Sequence, residues 1–178
     1  MNAIELADGL SVWLVNCFEG YKLLNKNGIL QEIRIFRQYI PQPQGITFTD
    51  TAQGMKGYDD SDYEANFPCV IVKCGDIIDN EENRLDMSRV NMRLLFGVYD
   101  ASPECQGWRD IMGMIDKVRH DLMIDRVISR KYVVQMPITS RMLEADTYPV
   151  YFGEMSLVFD IGRPRRPYEF VYRSEVRR

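Results

Sequence analysis

The sequence predicts a single α+β domain: a mostly antiparallel or mixed β-sheet packed by two main helices, with a long polar loop and an extended C-terminal arm. Three observations predict it. Residues 87–99 alternate, with Val90, Met92, Leu94, Phe96 and Val98 on one face and Asn91, Arg93, Leu95, Gly97 and Tyr99 on the other; period two over this length is a long strand with one well-buried face. Apolar residues then recur at Trp108, Ile111, Met112, Ile115, Val118 and Leu122, which is helical spacing and gives a single apolar stripe. Between the two, Ser102 can cap a helix, Pro103 suits its first position, and Glu104 complements the positive helix start. A helix joined to a strand by a short turn folds back onto that strand's sheet, so the core is expected where this stripe meets this strand.

The other elements follow in order. Residues 2–25 read as the first helix, with a broad apolar face including Leu6, Leu10, Trp13, Leu14 and Phe18, stopped at Asn25 to Gly28. Ile29 to Ile40 is ambiguous; Ile33, Ile35, Phe36 and Tyr39 lean it to a strand ended by Pro41 and Pro43. Residues 41–67 form a polar loop with acids at 50, 59, 60, 62 and 64. A loop of this length inside a compact domain is usually functional or disordered. Pro68 to Cys74 is a short strand whose near-continuous apolar run suits a central position, and Gly75 to Asp86 is a charged loop. Lys131 to Val134 begins another strand, Ile138 to Ala145 is a polar edge strand or hairpin arm, and Tyr151 to Ile161 is a last core strand. In the arm, Tyr168, Phe170 and Tyr172 alternate with Glu169, Val171 and Arg173. This strand either adds to another subunit's sheet edge or folds back on its own domain.

Composition bounds the function. Apolar residues make up 46% and charged residues 27% of the 178, ordinary for a folded soluble chain. The net charge is −4, but residues 163–178 carry six Arg and two acids, leaving −8 for residues 1–162. An acidic body with a basic tail points to head-to-tail or arm-exchange contacts more readily than to a DNA clamp. The first residues lack a signal-peptide pattern, Glu5 and Asp8 interrupting them early, and no apolar run approaches the roughly 20 residues of a membrane span. Cys69 and Cys74 are five apart on one strand, hence on opposite faces and unsuited to sharing a metal. With Cys17 and Cys105 they read as reduced thiols of a cytoplasmic protein.

Motifs of catalysis are absent from the sequence: no phosphate loop, dinucleotide fingerprint or nucleophile elbow. His120, the single His, reads as a surface or dipole-compensating residue. Asp59/Asp60 and Glu81/Glu82 sit in charged loops with no sign of the burial that sets paired carboxylates apart. Trp108 reads as core. Glu154 lies inside the last strand beside Gly153; an acid there faces solvent, pairs with an Arg, or pairs across a subunit boundary. The expectation is therefore no catalytic, cofactor or metal site, and a protein that acts by assembly.

Four stretches carry a resemblance: Phe67-Pro-Cys-Val-Ile-Val-Lys73, Leu95-Phe-Gly-Val-Tyr-Asp100, Gln106-Gly-Trp-Arg-Asp110 and Tyr148-Pro-Val-Tyr-Phe-Gly-Glu-Met155. In this order and spacing, over roughly residues 33–161, they resemble small tail proteins of the tail terminator (tail completion) type from prophages of Gram-positive bacteria. The resemblance implies a sheet flanked by helices in residues 1–162; the basic arm at 163–178 is read from the residues themselves and is less standard for the family. It implies a homohexameric ring that caps the tail tube, stops its growth and joins the tail end to the neck or connector. In contractile tails such a ring also binds the sheath, and the same part occurs in headless, phage-tail-like bacteriocins. The site would be the tail end or collar of a particle assembled in the bacterial cytoplasm, with DNA only as a passing genome. A ring needs two unlike patches on each copy. The expected ones are the arm, through Arg163, Arg165, Arg166, Tyr168, Phe170, Tyr172 and Arg173, and the acidic loop, through Asp50, Asp59, Asp60, Asp62 and Glu64. Glu154 is a further candidate for subunit pairing. Three alternatives stay open: another neck or head–tail joining protein, a small enzyme, and a nucleic-acid binder using the arginine tail.

Overall fold

The computed structural model describes residues 2–41, 63–79, 87–143 and 147–162. Their elements are α1 (Ala3–Cys17), β1 (Lys22–Leu24), β2 (Leu30–Glu32), β3 (Arg34–Arg37), β4 (Cys69–Ile78), β5 (Met87–Tyr99), α2 (Gly107–Ile124), β6 (Val127–Ile128), β7 (Tyr132–Met142) and β8 (Val150–Gly162). Six strands form one sheet in the order β3-β4-β5-β8-β7-β6. β3 runs parallel to β4, and every other neighbouring pair is antiparallel. β1 and β2 make a separate hairpin. The fold is α+β, with a mixed, mostly antiparallel sheet and two main helices.

The alternation in residues 87–99 fixes the centre. Val90, Met92, Leu94, Phe96 and Val98 of β5 are buried, as are Met155, Leu157, Phe159 and Ile161 of β8, which pairs with β5 along its whole length. Both helices cover this face. α2 contributes Ile111, Met114, Ile115, Val118 and Leu122; α1 contributes Leu6, Leu10 and Leu14. Gly153 lets α2 approach closely, because a Cβ there would stand 2.5 Å from Ile111 Cγ2. A second apolar cluster lies across the sheet, with Phe67, Cys69, Ile71 and Val150 at its centre and Phe36, Leu95 and Phe152 packed around it. Cys69 and Cys74 thus serve opposite faces, the latter packing against the helix-side core.

Several boundaries differ from expectation. The first helix ends at Cys17, not near residue 25: Gly20 has φ +74° and the chain turns into the β1–β2 hairpin, where Gly28 (φ +71°) is a turn residue. Ile29 to Ile40 is not one strand, because β2 pairs with β1 while β3 joins the large sheet. The second helix begins at Gly107, four residues beyond Pro103. Asp100 Oδ1 accepts the Ser102 N–H at 2.8 Å, and Cys105 has φ +50°, so these residues form a turn. β4 continues to Ile78 past an irregularity between Cys74 and Ile77, where a charged loop was expected. β7 is one strand from Tyr132 to Met142. Its pairing with β8 breaks between Gln135 and Thr139, around Pro137, which has no N–H to give the ladder. Trp108 is 45% exposed and not core; it lies on the outward side of the first turn of α2, beneath the Arg109 guanidinium.

Candidate assembly surfaces

The face of the sheet opposite the helices is apolar at one end and charged at the other. At the apolar end the turn 63–67 folds Phe67 onto the strands, and a Cβ on Gly97 would meet the Phe67 ring at 2.5 Å. The Phe67 ring meets Tyr63 and Phe152 edge-on, at centroid distances of 5.4 and 5.8 Å. At the charged end, Glu154 of β8 is only 6% exposed. Its Oε2 accepts from Arg141 Nη2 at 3.0 Å and Nε at 3.3 Å, and Oε1 lies 3.7 Å from Arg93 Nη1. The register explains this: Arg141 stands directly across from Glu154, and Arg93 is one diagonal step away on β5. Lys73 of β4 stands directly across from Arg93 and lies over the Tyr39 ring. Two arginines therefore hold one carboxylate, and Lys73 beside Arg93 is a third cation on this face, an excess of two positive charges in the cluster. Further along, Arg89 and Asp160 stand opposite each other, 3.7 Å apart. A hollow of about 400 Å³ opens beside the cluster, lined by Thr139, Ser140, Arg141, Glu154 and Ser156.

The outer side of α1 carries exposed apolar residues. On α1, Ile4, Val12 and Val15 are 72%, 58% and 57% exposed. The two acids of this helix are already engaged, Glu5 by the Tyr132 hydroxyl at 3.2 Å and Asp8 by Arg37 at 2.9 Å. The β1–β2 hairpin also leaves Leu24, Ile29 and Leu30 exposed. Ile4, Val12 and Val15 thus stand among Glu5, Asp8 and Asn16 on the outward side of α1.

Among the described residues no group of three His, Cys, Asp or Glu side chains is placed to hold a metal ion, and no helix is long and apolar enough to cross a membrane. The Cys69 thiol is pushed up to about 12 by burial, against a small opposing pull from Arg34. Cys17 is also raised to about 12, first by burial and then by Asp121, whose carboxylate accepts from its Sγ at 3.2 Å. Such thiols are poor nucleophiles. His120 is exposed near the end of α2.

Of the residues singled out in the sequence, Glu154 and Glu64 fall within the described part. Glu154 is engaged by two arginines of its own chain. Glu64 belongs to the turn that carries Phe67, and its charge helps raise the Tyr99 hydroxyl, after burial as the main cause. Asp50, Asp59, Asp60, Asp62, Arg163, Arg165, Arg166, Tyr168, Phe170, Tyr172 and Arg173 lie outside the described residues. Sequence reasoning missed Lys73, Arg93 and Arg141 as a group. Alternation places the first two on one face of their strands, but only the register brings Arg141 to Glu154. Compared with known proteins, the chain matches no protein-family model and no curated protein sequence.

Proposed function

We propose that this chain is a structural tail terminator: a subunit of a homohexameric ring that caps a tail tube, ends its polymerisation and joins the tail end to sheath or neck. The proposal is of a non-enzymatic part of a virion or phage-tail-like particle, assembled in the bacterial cytoplasm. The observation that carries it is the pair of unlike surfaces on opposite sides of one thin layered domain. Exposed apolar residues on the outward side of α1 face one way, and a cationic, hydroxyl-lined sheet face the other. Unlike patches suit a heterologous interface, which closes into a ring when its rotation permits. The four-stretch resemblance supplies the particular assembly, and the arm of residues 163–178 supplies a further contact to the neighbouring subunit or sheath.

The test is the mass of the purified protein, alone and with tube protein, by light scattering, with negative-stain imaging. A hexamer, or a monomer that becomes a ring only on tube ends, is the expected result. A monomer indifferent to tube but bound by isolated connector would replace the reading with a different joining protein. Removing residues 163–178 is expected to weaken assembly while leaving the thermal melting of the body in place; unchanged assembly would remove the arm from the account.

A further inference from the structure

The geometry points to the charged end of the open sheet face as the docking site for a second copy of this chain, entered by that copy's acidic stretch 50–64. The inference rests on the ring reading and assigns its interface.

The face is built to receive anions. Among the described residues Glu154 is the carboxylate that Arg93 and Arg141 approach, and it occupies only part of their donor capacity. Arg141 spends two N–H groups on Oε2, and Arg93 approaches Oε1 at 3.7 Å, too far for a hydrogen bond. The Arg93 and Arg141 side chains remain 52% and 73% exposed, so their other N–H groups face solvent. Lys73 directly opposite Arg93 is a like-charge cross-strand pair, which is destabilising within one chain unless an anion joins it. The hollow beside them, about 400 Å³, adds the hydroxyl-bearing residues Thr139, Ser140 and Ser156 next to Arg141. Together they form a concave site with cationic and hydroxyl donors, suited to carboxylate side chains.

The same chain supplies the complement. Residues 50–64 carry five acids, Asp50, Asp59, Asp60, Asp62 and Glu64, against the single cation Lys56. Residues 74–88 are equally acidic, but the two ends of that stretch belong to β4 and β5 of the sheet itself. A net charge of −4 meeting a face of +2 gives electrostatic steering and fixes register between copies. A stretch on one copy meeting a sheet face on the next is a heterologous contact, the kind a ring requires.

The test uses the full chain in two variants. One removes the acids (D59N/D60N/D62N). The other reverses the face (K73E/R93Q) while leaving Arg141 in place to hold Glu154, and a matching melting curve confirms that it folds. Self-association is followed by sedimentation velocity. Wild type is expected to associate, and each variant alone to associate roughly tenfold or more weakly. An equimolar mixture is expected to recover a 1:1 dimer and go no further. In it the face variant's intact acids meet the acid variant's intact face, while the reverse contact is missing at both ends. Variants that associate like wild type, or a mixture that stays monomeric, would overturn the inference. The latter would mean that each acidic stretch serves its own face or another partner. Binding of labelled duplex DNA that is steeply salt-dependent, lost in K73E/R93Q and unchanged in the acid variant, would overturn it in favour of nucleic acid. The ring reading fails separately, if wild type makes no ring on tube ends; rings formed equally well by both variants would leave that reading standing and remove this one.

Discussion

α1 and α2 lie on the same face of the sheet and feed the same core, yet their outward sides differ. α2 buries Ile111, Met114, Ile115, Val118 and Leu122 and turns Arg109, Asp116, Arg119 and His120 outward along most of its length. Its sequence is amphipathic in the ordinary way. α1 buries Leu6, Leu10 and Leu14, and then presents Ile4, Val12 and Val15 on the other side. The exposed apolar residues of α2, Trp108, Met123 and Ile124, sit at its two ends, with charged residues on the turns between them, whereas Val12 and Val15 of α1 lie one turn apart on one side. Under the proposed assembly, the outward side of α1 is where a partner would sit.

The comparison is broken most directly through the core the two helices share. Ile115→Ala and Leu10→Ala each remove a fully buried aliphatic side chain, and each is expected to destabilise the fold by about 2–4 kcal/mol in urea titrations. Equal costs would confirm that inward-facing residues of both helices serve stability alike. A loss near zero for Leu10→Ala would mean that α1 is docked mainly by its partner surface and not by this core.

Much of this was legible beforehand, and the parts that were not have physical reasons. The long strand 87–99, the core strand up to Ile161 and the stripe Ile111, Ile115, Val118, Leu122 are periodic over many residues, and period is a strong signal. The start of α2 was misplaced because Ser102-Pro103-Glu104 satisfies helix-start chemistry equally well in a turn, and the Asp100 side chain claims the Ser102 N–H first. Trp108 falls on the apolar stripe by spacing, but it stands 45% exposed on the first turn of α2, beneath the Arg109 guanidinium. Tyr21 and Leu24 continue the apolar spacing of the first helix into the hairpin, so spacing alone does not mark the stop at Cys17. Glu154 was suspected from its place in a strand, whereas its partners depend on strand order and register, which no single segment encodes.

A smaller effect is expected on the open face. Arg141→Ala leaves the buried Glu154 carboxylate with Arg93 alone, at 3.7 Å, and should cost about 1–3 kcal/mol. Adding Glu154→Gln to that variant should return most of the loss, since the burden is the unpaired charge and not the missing arginine. A double variant no more stable than the single would show that Arg141 acts through packing.

On the outer side of α1, Val12→Lys and Val15→Lys should change stability by no more than about 0.5 kcal/mol in the monomer, because both side chains already stand in water. The same changes should weaken self-association measured by light scattering. Arg119→Glu on the outward side of α2 should leave association as it was. Equal sensitivity of both helices would erase the distinction between them.

The finest probe sits where the two helices touch. Cys17 at the end of α1 donates to Asp121 of α2, and burial followed by Asp121 holds the thiol up at about 12. A raised thiol pKa means a smaller thiolate fraction at any neutral pH, so alkylation of Cys17 should lag well behind that of the exposed Cys105. Asp121→Asn removes the acid's contribution but not the burial. The pKa should therefore fall part of the way, and Cys17 should label faster across pH 7–9 while Cys105 does not change. Site-resolved labelling followed by peptide mass spectrometry reads both at once. An unchanged Cys17 rate in Asp121→Asn would mean that access to the groove between the helices, and not ionisation, limits the reaction; binding of a partner along α1 would then be expected to protect Cys17 further.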